Sequence, residues 1–429
     1  MQIHVVKAGQ TLYSIGMEYG VAASILARIN GLQEPYSLAV GQSLLILRPE
    51  AVYTVRQGDT LFSIAQNFNV PLRTIQQNNP ALCAQPQLFA GQTVILRFES
   101  DASRLIEVTG YAYPFVSEKV LRQILPYATD FCPFTYGFTP QGTLVLPDDE
   151  KLLLLAREYG VRALLHLSTL TEDQTFSAER AKILLGSDSL ENALIVAVLA
   201  QLSVRGYGGA DVDFEYLGRE LAEAYAAFLR KLQSALSLSG GRLLAALAPK
   251  TSDTQPGDLY EGHDYAKIAA ACDVVLVMTY EWGYTYSSPQ AVAPIQNVRR
   301  VLEYAASRIP SRKILMGFPN YGYDWPLPYE KGVTKATSIG NDAAVQLAVR
   351  YGAEIQYDET AQTPYFRYTD QNGREHEVWF EDARSSLAKY SLIRELDLQG
   401  VGYWNFMRLF SAGFFLLRDL FEIADGNAY

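Results

Sequence analysis

Cysteine is scarce in this chain of 429 residues: Cys83, Cys132 and Cys272 lie far apart and form no CxxC pair. Such spacing offers neither a disulfide framework nor a zinc site, and the three read as small buried hydrophobes, so no metal is expected. Positive charge is also short, with 36 Lys/Arg against 46 Asp/Glu and a net charge of −10. The acidity lies almost wholly after residue 100, because residues 1–100 hold six Lys/Arg and five Asp/Glu. Nucleic acid and anionic membranes both demand a basic face, so neither is expected as the main partner. Long apolar runs are missing: "ALIVAVLA" and "VVLVM" are the longest candidates, well below the roughly 18 residues of a membrane helix. The start, "MQIHVVKAGQTLYSIG", has no basic segment followed by an apolar one, which is the mark of a secretory signal. There is no GxSxG, and His4, His166, His263 and His376 are scattered, so serine hydrolase chemistry has no support. His166, inside "VRALLHLS", reads as an interior residue rather than a base.

What is present begins with a repeat. "IHVVKAGQTLYSIGMEYGV" matches "YTVRQGDTLFSIAQNFNV", with Gln10 on Asp59 and Asn30 on Asn79. After one inserted residue "LAVGQSLLIL" matches "LFAGQTVILR", with Gly41 on Gly91. Each copy reads as strand, turn, two helices and closing strand, too small to spare residues for catalysis and better suited to binding. The pair resembles LysM modules, which bind glycans containing N-acetylglucosamine such as peptidoglycan and chitin. The resemblance puts the sugar in a groove between the turn after the first strand and the loop before the last. It implies contact in the region of Gly9, Gln10, Thr11 and Asn30 in residues 1–48, and of Gly58, Asp59, Thr60 and Asn79 in residues 51–98.

From about residue 104 strands alternate with helical patterns, at "LIEVTGYAY", "ATDFCPFTY", "VRALLHLS", "GADVDFEY", "RLLAALAPK", "DVVLVMTYEW", "KILMGFPNYGY" and "GVGYWNF". Eight such pairs predict an α/β fold with a parallel sheet closed into a (β/α)₈ TIM barrel over residues 104–429. Short strand-like pieces after the seventh strand predict an α+β insertion at about 326–380 that walls one side of a cleft. In "GGADVDFEY" the acids Asp211, Asp213 and Glu215 alternate with Val212 and Phe214, so all three face the barrel interior while the apolar pair faces the helices. Burying three carboxylates costs several kcal/mol each without shared protons or hydrogen bonds, which points to chemistry rather than stability. Crowded acids raise one another's pKa, and Glu215, nearest the mouth, is the natural proton donor.

"YGGADVDFEY" is similar to the DxxDxDxE signature of family 18 glycoside hydrolases, with Gly208 where the first acid usually stands. "VMTYEWG" and "GYWNF" resemble that family's strand-six and strand-eight motifs. The resemblance implies a retaining, substrate-assisted mechanism, an exception to the two-carboxylate scheme. Glu215 would be acid and then base, and Asp213 would hold the sugar's acetamido group with Asp211 supporting it. Tyr280 would orient the acetamido oxygen and Trp404 would stack beneath the sugar. Trp282, Asn320 and Tyr321 are candidate substrate-binding walls. No cofactor is implied. Two LysM-like modules ahead of such a barrel are similar to spore cortex fragment-lytic enzymes, N-acetylglucosaminidases that act on cortex peptidoglycan during germination. That resemblance implies a monomer placed at the spore coat and cortex, made in the mother cell, with peptidoglycan strands or fragments as its partner.

Other readings are a hydrolase of chitin-like polymers, a glycan-binding protein with little turnover, and a metal-dependent glycosyltransferase using "DVD". The last lacks a Gly-rich nucleotide turn. Two modules raise effective concentration on a polymer, so deleting residues 1–97 is expected to weaken binding to insoluble peptidoglycan but to spare hydrolysis of short soluble fragments.

Overall fold

The computed structural model describes residues 1–85, 87–100, 102–171, 173 and 175–426. Each repeat folds as predicted. Gln2–Val5 pairs antiparallel with Ser43–Ile46, and Pro49–Thr54 with Thr93–Phe98. The enclosed helices are Leu12–Tyr19 and Ala23–Ile29 in the first copy, and Leu61–Phe68 and Leu72–Asn78 in the second. Thr11 and Thr60 cap the first helix of each, their hydroxyls accepting from Ser14 N–H and Ser63 N–H while those serines accept from the threonine amides. Such a cap satisfies amides that the helix cannot, and is worth about 1 kcal/mol.

Eight parallel strands follow, and they close on themselves. In chain order they are Leu105–Ala112, Asp130–Pro133, a third strand in two pieces, Gly209–Asp213, Arg242–Leu247, Val274–Val277, Ile314–Pro319 and Gly400–Trp404. The third strand breaks at Leu164: Arg162–Ala163 pairs strand two and Leu165–Ser168 pairs strand four, so the ring is complete across the break. Strand eight pairs strand one with Gly400 opposite Glu107. The interior is filled by Tyr111, Cys132, Leu164, Leu244, Val274, Leu276 and Leu315. Outward residues such as Val212, Ala245 and Val275 join a larger core beneath the surrounding helices. The parallel order requires helical crossovers, which is why strand and helix alternate in the sequence.

The insertion starts earlier than the sequence suggests. Strand seven ends at Pro319, and Gly322–Pro326 already belongs to a separate antiparallel sheet with Thr337–Ile339, Gln356–Asp358, Thr363–Thr369 and Glu375–Trp379. "KILMGFPNYGY" reads as one continuous strand by its apolar run, although Pro319, Asn320 and Gly322 stand where the chain leaves the barrel.

The modules are seated on the barrel rather than tethered to it. Ile29, Leu45, Leu47, Ile95 and Phe98 are buried in the same apolar cluster as the barrel's outer core, and Phe98 meets Phe415 edge-on at 5.9 Å. Arg73 donates to the carbonyls of Pro126 and Ala128, both at 2.8 Å, and Gln77 to that of Pro126 at 2.8 Å. The first module also grips the insertion: Ile355 N–H donates to Val40 O at 2.9 Å and Arg384 to Gly41 O at 3.2 Å.

Candidate functional site

Strand four presents its residues as the alternation predicts. Phe214 points outward, stacked on Tyr225 at 5.6 Å and Phe228 at 5.9 Å on the helix Ala222–Ser237. Asp211 is fully buried inside the barrel, and Asp213, above it, keeps 15% of its side chain accessible. The strand ends at Asp213, so Glu215 lies on the loop beyond it, half-buried at the mouth. That loop is held by His263, whose Nδ1 accepts from Ala248 N–H at 2.9 Å and whose Nε2 donates to Phe214 O at 2.9 Å. Burial lowers the His263 pKa to about 4, so the ring stays neutral in one tautomer and pins the backbone next to Glu215. No sequence pattern singled out His263, because its role depends on a contact across 49 positions.

Burial pushes the Asp213 carboxyl up to about 8, with the charge of Glu215 adding to the rise and His166 opposing it. Burial raises Glu215 as well. Both carboxyls are thereby shifted toward their protonated forms. Tyr280 is half-buried beside them, its hydroxyl pushed up by desolvation and by the charges of Asp213 and Glu215. A side chain at Gly317 would come within 2.8 Å of the Tyr280 ring, so glycine on strand seven makes the seat for that tyrosine. Trp404 completes an aromatic floor with Phe134 at 4.9 Å, Tyr111 at 5.8 Å and Tyr113 at 6.2 Å. The structure therefore brings Asp211, Asp213, Glu215, Tyr280 and Trp404 to the carboxyl end of the strands, where barrels carry their chemistry.

Other predicted residues sort differently. Tyr321 donates to the carboxylate of Glu281, and Tyr323 does so at 3.2 Å, so Glu281 ties the mouth to the insertion. Trp282 is half-buried on the same rim. Asn320 is buried, and its amide donates to the carbonyls of Asn405 at 2.9 Å and Arg408 at 2.7 Å, which makes it a clamp between the ends of strands seven and eight. Gly208 is explained by crowding: a Cβ there would stand 2.6 Å from Cγ of Arg162, which pairs with buried Asp130 at 2.6 Å. His166, read from the sequence as an interior residue rather than a base, is buried and binds Asp211 through Nδ1 at 2.7 Å.

In the modules, Asn30 and Asn79 are buried and their side chains are engaged by backbone. Asn30 donates to Leu26 O and Leu45 O and accepts from Leu45 N–H; Asn79 does the same with Ile75 O, Ile95 O and Ile95 N–H, all between 2.7 and 2.9 Å. The structure thus gives both asparagines a clamping role between helix and closing strand. Thr11 and Thr60 are helix caps, while Gln10 and Asp59 accept from Lys7 N–H and Arg56 N–H to shape those turns. Gly9 and Gly58 are exposed at φ 81° and 90° with open space before them. No group of three or more His, Cys, Asp or Glu among the described residues is arranged to hold a metal.

A family model described as glycosyl hydrolases family 18 matches residues 171–408, and a LysM domain model matches 4–47 and 53–97. The chain is 40% identical to a cortical fragment-lytic enzyme of Bacillus subtilis (strain 168) and 35% identical to one of Bacillus anthracis, each over 99% of both chains. Among solved structures it superposes on the spore cortex-lytic enzyme SleL of Bacillus megaterium QM B1551 with a TM-score of 0.84, at 38% identity and over 99% of both chains. A chitinase of Chromobacterium violaceum ATCC 12472, 23% identical, shares the fold over 73% of this chain and 98% of its own, at a TM-score of 0.68.

Proposed function

The chain belongs to glycoside hydrolase family 18, and from that premise we propose that it is a retaining β-N-acetylglucosaminidase of spore cortex peptidoglycan, working on the glycan as a monomer. The likeness along the full chain to cortical fragment-lytic enzymes supports the substrate and the spore as the place of action. The paired LysM modules support a polymeric glycan partner.

The mechanism follows from what each group can do. Glu215, whose carboxyl burial pushes up from its ordinary range, gives its proton to the glycosidic oxygen as the bond to the leaving sugar breaks. The substrate's own acetamido oxygen attacks the anomeric carbon, so no enzyme carboxylate has to reach it. Asp213 accepts the acetamido N–H and balances the positive charge that grows on the ring this attack forms. Tyr280, neutral and able to donate, holds the acetamido oxygen in line. Trp404 offers its face to the sugar. Water then opens the intermediate from the side the leaving group vacated, with Glu215 as base, so the anomeric configuration is retained. The observation that carries this reading is the stack of Asp211, Asp213 and Glu215 at the open end of strand four, with burial raising the two outer acids.

Glu215→Gln is expected to lower kcat on purified cortex muropeptides by at least 10³-fold while leaving the fold and glycan binding intact. Mass spectrometry of the wild-type products should find N-acetylglucosamine at the new reducing end, and NMR should find the β-anomer formed first. Inversion, or a Glu215→Gln enzyme that still turns over, would refute the assignment.

A further inference from the structure

We propose that His166 is a positioning residue for Asp213: anchored to Asp211 through Nδ1, it takes the Asp213 proton on Nε2 when substrate engages that carboxylate, and returns it when the acetamido group departs. The inference rests on the substrate-assisted reading above and adds the group that lets Asp213 change its charge.

His166 and Asp211 face each other in register on strands three and four, and Nδ1 lies 2.7 Å from Asp211 Oδ2. A carboxylate oxygen accepts, so in this contact Nδ1 is the donor and Asp211 Oδ2 the acceptor. The other nitrogen, Nε2, stands 3.9 Å from Asp213 Oδ2. Nε2, Asp213 Oδ1 and Asp211 Oδ1 are buried without hydrogen-bond partners in the protein, an uncommon arrangement in one cluster. The ring cannot turn away: Phe134 stacks on it at 4.8 Å and Tyr111 meets it edge-on at 5.3 Å.

The groups that face this pair are few in kind. On strand four are Asp211 and Asp213, with Glu215 just beyond; on strand one is the Tyr111 phenol; on strand two is the Cys132 thiol; and just beyond strand six is Tyr280. Burial keeps the phenols and the thiol protonated, so they cannot exchange charge with Asp213 at neutral pH. His166 can. Before substrate binds, Asp213 Oδ2–H faces the bare Nε2 lone pair. On transfer the O–H bond breaks and an N–H bond forms, so a neutral acid and a neutral imidazole become a carboxylate and an imidazolium, with Asp211 opposite the new cation. No further reactant is needed. Asp213 is then negative as the acetamido nitrogen becomes positive, and the reverse transfer resets the site.

His166→Asn keeps an N–H toward Asp211 but deletes the second nitrogen. The probe is the 4-nitrophenyl glycoside of N,N′-diacetylchitobiose, whose good leaving group relieves the demand on Glu215 and exposes the acetamido step. The expected result is a fall in kcat of about 30-fold with KM held within about threefold, and a kcat pH profile displaced by about one pH unit. An unchanged profile would overturn the proposal. A second measurement needs no turnover: in histidine-labelled protein, the pH at which the His166 ring resonances move should differ between wild type and Asp213→Asn. Identical titrations would also refute it. A wild-type enzyme that leaves the probe intact would count against the glycosidase reading alone, since the resonance comparison still decides the role of His166.

Discussion

At position 208 one residue shows how neighbours overrule a signature. Arg162 occupies the space an acid would need, and it neutralises Asp130 at the base of strand two. Asp211, Asp213 and Glu215 were legible in the sequence because a period of two sets their common face whatever surrounds them. His166 and His263 were not, because an imidazole inside an apolar run looks the same whether it is filler or is aimed at an acid on the next strand. Asp213 also carries a stability consequence. Its carboxyl ionises near its ordinary 3.8 in the unfolded chain but near 8 when folded. Between those values the folded state holds the extra proton, so this group lowers stability as pH rises through the window and contributes no further change above it. Asp213→Asn removes the ionisation and is expected to be the more stable protein at neutral pH by on the order of 4 kcal/mol. Thermal melts across pH should show that gain shrinking to nothing below about pH 4.

Among the elements, the two modules give a matched test of local against non-local bonds. Thr60 caps its helix with a partner three residues away, and such caps are readable from the threonine and serine spacing alone. Asn79 instead joins its helix to the strand Thr93–Phe98, a role that only the folded module reveals. Thr60→Ala is expected to cost about 1 kcal/mol. Asn79→Ala leaves Ile95 N–H and two carbonyls buried without partners and is expected to cost about 3 kcal/mol. Urea denaturation midpoints that rank the two the other way would show that the asparagine is not the clamp described. The insertion makes the same point: its later strands were legible, while its first strand, Gly322–Pro326, was read as a continuation of the barrel strand before it.

In the whole molecule, the modules and the barrel share a core, and this alters what truncation means. Removing residues 1–97 uncovers the barrel surface seated under Ile29, Leu45, Leu47 and Ile95 and leaves Arg73's carbonyl partners Pro126 and Ala128 open. Roughly 25 cal/mol per Å² of apolar surface is lost with that seat. The truncated barrel is therefore expected to melt at least 5 °C lower and to associate on a sizing column, besides binding insoluble peptidoglycan less well. A monomeric fragment with an unchanged melt would show that the interface adds nothing. Periodicity, the internal repeat and the acid alternation by themselves determined the barrel, the paired modules and the three carboxylates, because each rests on chain geometry over a few residues. Tertiary structure alone decided that His166 reaches Asp211, that Gly208 must be small and that the modules are walls of one body, because those facts depend on which distant surfaces close packing brings together.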